Sequence, residues 1–102
     1  MAIALLSYEY VDDILEHRPP HRGDHLRHVE EFASGQGLVV AGAVGEPPHG
    51  ALFVFEDEVD PAAAAAAFAA ADPYVAAGLV TAHTIEPWAV VANTWLSEPG
   101  RR

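Results

Sequence analysis

An alanine run between two Asp-Pro dipeptides constrains this chain more than any other segment. Residues 62–71 are alanine except for Phe68, and they stand between Asp60-Pro61 and Asp72-Pro73. An aspartate side chain can cap the free N–H groups at a helix start, and proline is tolerated at the first helical position. Alanine favours helix and is small enough for close packing on a sheet. The segment therefore predicts a helix, followed by a short helical turn from Pro73 to Gly78.

Four apolar runs of strand length complete the pattern. With two predicted helices the order is βαββαβ, which is typical of a ferredoxin-like α+β fold with both helices on one face of an antiparallel sheet. No repeat or linker divides the chain, so we expect one domain over residues 1–96 and a flexible tail over 97–102. The strands are predicted at residues 2–8, 38–44, 51–56 and 80–91.

The first helix is predicted over residues 24–34, because Leu26, Val29 and Phe32 recur there at helical spacing. We expect Pro19-Pro20 to prevent a continuous helix further upstream. Proline lacks an N–H donor and restricts the residue before it.

Two of the strands indicate a second copy of the chain. Residues 38–41 and 51–55 are continuously apolar rather than alternating, which indicates burial on both faces of the sheet. Two helices cover only one face. We therefore expect a homodimer in which the other face is covered by the same sheet of a partner. The alternative is a monomer with a few exposed apolar side chains.

Missing residue types exclude several kinds of chemistry. The chain has no lysine, which excludes Schiff-base catalysis. It has no cysteine, which excludes thiol nucleophiles, disulfides and cysteine-bound metals. None of the three serines lies in a Gly-x-Ser-x-Gly motif. Any catalysis must therefore depend on histidine, aspartate, glutamate, tyrosine or arginine, or on a bound metal.

The charge of the chain limits its partners. Its formal net charge of −10 repels phosphate backbones, so nucleic acid is not an expected partner. No apolar stretch approaches the length of a membrane span, and the N-terminal residues carry no positive leader region. We expect a cytoplasmic domain with no membrane partner.

Two motifs resemble those of the YCII-related (YciI-like) domain family. Arg22-Gly23-Asp24-His25-Leu26 is similar to an Arg-x-x-His-Leu motif, and Asp72-Pro73-Tyr74 matches an Asp-Pro-Tyr motif. The resemblance covers roughly residues 3–88 and implies a dimeric α+β barrel in which His25 and Asp72 form a catalytic pair. It also implies that Arg22, Tyr74 and Gly42 bind the substrate. The chain departs from the family pattern in lacking a proline before His25 and in having Ala43 where Ala-Gly-Pro is usual.

The resemblance implies a small acid–base enzyme without cofactor or metal. His25 would move a proton, while Asp72 would orient the imidazole and stabilise its charged form. One branch of the family removes chloride from a chlorinated hydroxyquinol, which implies lyase-like or isomerase-like chemistry on a small cyclic or phenolic molecule. The alternatives are a non-catalytic dimeric binding module and a relative of the muconolactone isomerases or antibiotic monooxygenases.

Alternatives also remain open for individual residues. Arg18-Pro19-Pro20-His21 resembles a second form of the histidine motif, so His21 competes with His25. Asp72 has a purely structural alternative as a helix cap, and Tyr74 either donates a hydrogen bond into a cleft or is a core aromatic. The spacing of His17, His21, His25 and His28 also resembles a row of metal ligands, although a zinc site needs three or four convergent ligands.

Overall fold

The computed structural model describes residues 2–94 as a four-stranded antiparallel sheet with its helices on one face. The strand order β2-β3-β1-β4 confirms the predicted ferredoxin-like α+β fold. The predicted tail, residues 97–102, lies outside the described residues. The elements are β1 (Ala2–Tyr10), α1 (Ile14–His17), α2 (Pro19–Gly35), β2 (Leu38–Val44), β3 (Gly50–Asp57), α3 (Pro61–Ala71), α4 (Pro73–Ala76) and β4 (Val80–Pro87).

The core lies between the sheet and the helices. Leu6 and Tyr8 of the central strand β1 are buried on the helix side, and the residue between them, Ser7, is only half-buried. Phe53 and Phe55 of β3 add two aromatic rings to the same side. The alternation follows from the two-residue period of a strand, which directs every second side chain to one face.

Helix α2 begins at Pro19, five residues before the predicted start. The expected break in the helix is present at Arg18, between α1 and α2, but the two prolines occupy the first turn of α2 rather than lying outside it. The N–H groups of a first turn have no partner within the helix, so proline loses no hydrogen bond there. As a consequence, His25 lies in the second turn of α2 rather than at its start.

The Asp-Pro dipeptides begin helices α3 and α4, as predicted. Asp60 caps α3 by accepting a hydrogen bond from the Ala63 amide at 3.1 Å. Phe68 is the bulky core residue of α3, and small alanines around it let the helix lie close to the sheet. Helix α4 is a single turn, and Gly78 follows it with a φ of +76°, a backbone conformation that favours glycine.

Strand β4 ends at Pro87, although the sequence predicts strand to residue 91. Proline has no N–H donor to continue the hydrogen-bonded ladder. The strand lies at the edge of the sheet, where proline is tolerated, as the sequence suggests. None of the helices between residues 2 and 94 combines the length and hydrophobicity needed to span a bilayer.

The sheet face opposite the helices is only partly covered within one copy of the chain. Leu52 of β3 is 43% exposed on this face, while its neighbour Val54 is buried. The pairing register places Val54 between Leu5 of β1 and Val40 of β2. A single copy therefore leaves Leu52 open, and the expected burial of this face by a partner copy remains a prediction.

Candidate active site

A cavity of about 180 Å³ lies between α2, the strands β2 and β3, and the short helix α4. One face of α2 forms its largest wall, because side chains three, four or seven positions apart on a helix share a face. Aromatic residues of β1, β3 and α4 form the floor. The residues of this wall are Arg18, which directly precedes α2, and Arg22, His25, Leu26 and Val29 of α2.

His25 and Asp72 meet beside this cavity although they are 47 positions apart in the sequence. The Nδ1 atom of His25 lies 2.7 Å from Oδ1 of Asp72. His25 is 6% exposed and Asp72 is completely buried. The single turn of α4 packs against α2, and the later position of His25 within α2 brings the imidazole to the start of α4.

Two further donors hold the Asp72 carboxylate. The Tyr8 hydroxyl donates to Oδ2 at 2.7 Å, and the Tyr74 amide donates to Oδ1 at 3.0 Å. Burial alone raises the pKa of Asp72, but the hydrogen bonds from His25, Tyr8 and the Tyr74 amide outweigh it, so the pKa is lowered overall. Asp72 is therefore an anion at neutral pH.

This arrangement determines which nitrogen of a neutral His25 carries the proton. The anionic carboxylate only accepts hydrogen bonds, so Nδ1 must be the protonated nitrogen. Burial and the bond to Asp72 raise the pKa of Tyr8, which keeps its hydroxyl protonated as a donor. The Nε2 atom of His25 is left with a lone pair that can accept a proton from a ligand in the cavity.

Aromatic rings fix the plane of the imidazole. His25 stacks on Tyr74 with ring centroids 3.8 Å apart and only 4° between the planes. Phe53 meets His25 edge-on at 6.4 Å. Tyr74 is buried, and its hydroxyl has no hydrogen-bond partner among residues 2–94. Buried hydroxyl groups are usually hydrogen-bonded, so the Tyr74 hydroxyl is an exception within residues 2–94.

The structure brings together all five residues that the sequence indicates for the site. His25, Arg22, Tyr74 and Gly42 line the cavity, and Asp72 lies behind His25. Their roles in catalysis and binding remain predictions. The competing residue His21 neither lines this cavity nor contacts Asp72.

Sequence reasoning missed Tyr8, Tyr10 and Arg18. The tyrosines lie on the helix side of β1, and strand alternation from Leu6 was the signal that could have placed them there. Burial and then the nearby Tyr74 and Asp72 raise the pKa of Tyr10 to about 12, while Arg18 and Arg22 act in the opposite direction. Arg18 was missed because the helix was predicted to begin after it.

The histidines do not gather into the row of metal ligands considered from the sequence. His28 is bonded through Nε2 to the Phe68 carbonyl oxygen at 2.8 Å, and His17 is paired with Asp13 on the surface. Within residues 2–94, the group of side chains close enough to share a metal ion is Asp13, Glu16 and His17. These three residues are exposed, and such groups are common without a metal.

Comparison with solved structures finds the same architecture in other proteins. A 5-chloro-2-hydroxyhydroquinone dehydrochlorinase from Burkholderia phenoliruptrix, in complex with 2,5-dihydroxybenzoquinone, is 21% identical, with a TM-score of 0.68 over 85% of this chain and 93% of that one. An antibiotic biosynthesis monooxygenase is 12% identical, with a TM-score of 0.58 over 90% and 100%. A protein from Agrobacterium tumefaciens is also 12% identical, with a TM-score of 0.56 over 87% and 92%.

This chain shares their ferredoxin-like fold. Identities this low establish the fold alone, because one fold carries many unrelated activities. No protein-family model and no curated protein sequence matches the chain. Membership of the YCII-related family therefore remains a prediction.

Proposed function

We propose that this protein is a small acid–base enzyme in which His25 moves a proton of the substrate and Asp72 orients the imidazole. The observation that supports this proposal most is the 2.7 Å contact between His25 Nδ1 and Asp72 Oδ1 beside an open cavity. The contact leaves Nε2 of His25 as the nitrogen that can accept a proton.

The surroundings of Asp72 favour catalysis over capping alone. A capping aspartate needs only the amide bond that Asp72 receives from Tyr74. Asp72 also accepts bonds from the His25 imidazole and the Tyr8 hydroxyl, which together bury a charged carboxylate next to a titratable ring. Burying an ion is costly unless it is fully hydrogen-bonded, and such pairs occur often at functional sites.

The proposed reaction is an elimination or isomerisation on a small cyclic or phenolic molecule. In the elimination from a chlorinated hydroxyquinol, one ring hydroxyl first becomes a carbonyl group as a proton is added to the carbon that bears chlorine. Nε2 of His25 then takes the proton of a second hydroxyl group, which leaves a quinone once chloride has departed. The released electron pair moves into the ring, and chloride departs with the electrons of the carbon–chlorine bond. The substrate loses HCl in total, so no external oxidant or reductant is required. Asp72 stabilises the imidazolium until the proton is released to water.

Chloride release tests the elimination. The probe is 5-chloro-2-hydroxyhydroquinone, the compound named for the dehydrochlorinase of the same fold. We expect the protein to accelerate chloride release, and we expect His25→Gln to lower the rate by about 100-fold or more, in keeping with a general base. His21→Gln is the matched control on the same helix and should retain the rate. Circular dichroism shows whether each variant is folded.

Deuterium exchange tests the wider claim of proton transfer. Cyclic enols incubated in D₂O are followed by NMR, and His25-dependent exchange would support isomerase chemistry if no chloride is released. If the protein accelerates neither reaction, or if both are insensitive to His25→Gln, the acid–base proposal is wrong. A non-catalytic binding module would then be the better account of the cavity.

We also propose that the protein forms a homodimer through the helix-free sheet face. Leu52 is 43% exposed there, and the half-buried Leu5 and Val40 extend the apolar surface around it. Light scattering at micromolar concentration should give twice the monomer mass, and Leu52→Glu should give the monomer. Val59→Glu is the control, since Val59 is 87% exposed in a loop. A monomeric wild-type protein would contradict the proposal.

A further inference from the structure

The cavity is lined by positively charged side chains, although the chain as a whole is acidic. The chain carries fifteen acidic residues and only five arginines, yet two arginines and no aspartate or glutamate line the cavity. Neither Arg18 nor Arg22 forms an ion pair within residues 2–94. By contrast, Arg27 on the outside of the same helix is paired with Asp24 at 3.1 Å.

The two arginines are placed to act together. Arg18 directly precedes α2 and has helical backbone angles, and Arg22 lies four positions further along, so their side chains extend from the same helix face. Both act electrostatically on Tyr10, whose ring lines the cavity, which places their charges near its aromatic floor. A guanidinium group offers several N–H donors in a plane and binds carboxylate-like oxygens in a bidentate geometry.

The volume of the cavity and its uncharged lining residues indicate the size and shape of the rest of the ligand. Its volume of about 180 Å³ corresponds to about six water molecules at roughly 30 Å³ each, which suits a single small ring. Tyr10, Phe53 and Tyr74 provide flat aromatic walls. Tyr74 contributes to this lining, while its hydroxyl is buried and without a partner within residues 2–94.

We propose that the cavity selects a small planar ring bearing an anionic oxygen, held by Arg18 and Arg22 while the ring faces His25. The orientation of the ring toward His25 rests on the proposed function. The selection of an anionic ligand by the arginines does not depend on it. The anionic oxygen belongs to a carboxylate or to an ionised phenol, since both present the same chemistry to a guanidinium group. The Asp72 carboxylate does not itself line the cavity, and it accepts three hydrogen bonds behind the His25 ring.

Binding measurements with simple probes test the selection of charge. Benzoate, 4-nitrophenolate and the uncharged benzamide are titrated into the full chain and followed by NMR of the His25 and Tyr74 side chains. We expect at least one anion to bind about tenfold more tightly than benzamide, and the better of the two identifies the type of oxygen. Added salt should weaken binding of the anion but not of benzamide.

Variants of the arginines test which side chains favour an anionic over an uncharged ligand. Arg18→Gln and Arg22→Gln should each weaken anion binding by about tenfold or more, as expected for loss of a charged hydrogen-bond partner, while benzamide binding stays within about twofold. Arg27→Gln is the matched control, since it removes the same net charge outside the cavity. Tyr74→Phe should weaken anion binding several-fold if its hydroxyl reaches the ligand; an unchanged affinity excludes that hydroxyl from the site.

Two results would overturn the proposal. The first is equal binding of the anions and benzamide by the wild-type protein. The second is an equal loss of affinity in Arg27→Gln and in the cavity variants, which would indicate a general effect of net charge. Neither result bears on proton transfer by His25. The opposite combination is also distinguishable. If the wild-type protein binds anions selectively but His25→Gln changes neither chloride release nor deuterium exchange, the anion site is retained and the proposed function is rejected.

Discussion

Asp60 and Asp72 begin two helices with the same Asp-Pro dipeptide, yet they have different environments. Asp60 is exposed and bonds one amide of its own helix, that of Ala63. Asp72 is completely buried and also accepts an amide bond from its own helix, that of Tyr74. The local capping interaction is therefore the same, and only the tertiary surroundings separate a surface cap from a candidate catalytic group.

Two residues distant in sequence create the difference. Tyr8 lies 64 positions from Asp72, and His25 lies 47 positions from it. Both donate at 2.7 Å, and both are held by elements that pack in the core. The following predictions use this pair of aspartates, or the residues around Asp72, to test what the tertiary contacts contribute.

The largest effect is expected from replacing each aspartate by alanine. Asp72→Ala leaves three buried donors without an acceptor, and we expect it to lower the free energy of unfolding by about 3–5 kcal/mol. Asp60→Ala removes a surface cap, and we expect a loss of about 1 kcal/mol. Urea unfolding of the two variants measures the difference. Equal losses would show that Asp72 is only a cap.

A smaller effect is expected when the Tyr8 hydroxyl is removed. Tyr8→Phe deletes one hydrogen bond to a buried anion, and we expect a loss of about 1.5–3 kcal/mol in the free energy of unfolding. Tyr10→Phe, two residues along the same face of β1, is the matched control and should cost less. If the two variants lose the same stability, the Tyr8–Asp72 bond contributes little.

The pH dependence of stability should also depend on Asp72. Its pKa is lowered below the ordinary value of 3.8, so it contributes stability that is present above about pH 4 and is lost as the pH falls toward its folded pKa. The difference in unfolding free energy between the wild type and Asp72→Asn should therefore shrink below about pH 4. Urea unfolding at several pH values measures it. A difference that stays constant through this range would contradict a lowered pKa.

The smallest effect is expected from replacing Asp60 by asparagine. Asparagine caps a helix about as well as aspartate, so we expect a change within about 0.5 kcal/mol. Asp72→Asn should lose more, because a neutral amide cannot accept hydrogen bonds on both of its terminal atoms as the carboxylate does. Urea unfolding compares the two substitutions, and similar values would remove the distinction between the aspartates.

The sequence allowed the fold to be predicted because its local signals agree. The alanine run, the Asp-Pro starts and the apolar strands each predict an element that is present. The start of α2 at Pro19 was not predictable from the usual effect of proline inside a helix, since the same residue is favourable in a first turn.

The site was predictable only in part. The resemblance to a family indicated His25 and Asp72, whereas helical and strand patterns alone gave no reason to prefer Asp72 over Asp60. Tyr8 and Arg18 were missed because their relation to the site depends on the packing of β1 and on the true start of α2. Contacts between residues far apart in sequence leave little trace in local patterns.

The tautomers of His25 and His28 test the central claim most directly. The Asp72 carboxylate accepts a bond from Nδ1 of His25, whereas the Phe68 carbonyl oxygen accepts one from Nε2 of His28. When both rings are neutral, nitrogen NMR of the imidazoles should show His25 protonated at Nδ1 and His28 protonated at Nε2. A His25 ring protonated at Nε2 would contradict the account, because the nitrogen available to the cavity could not then accept a proton.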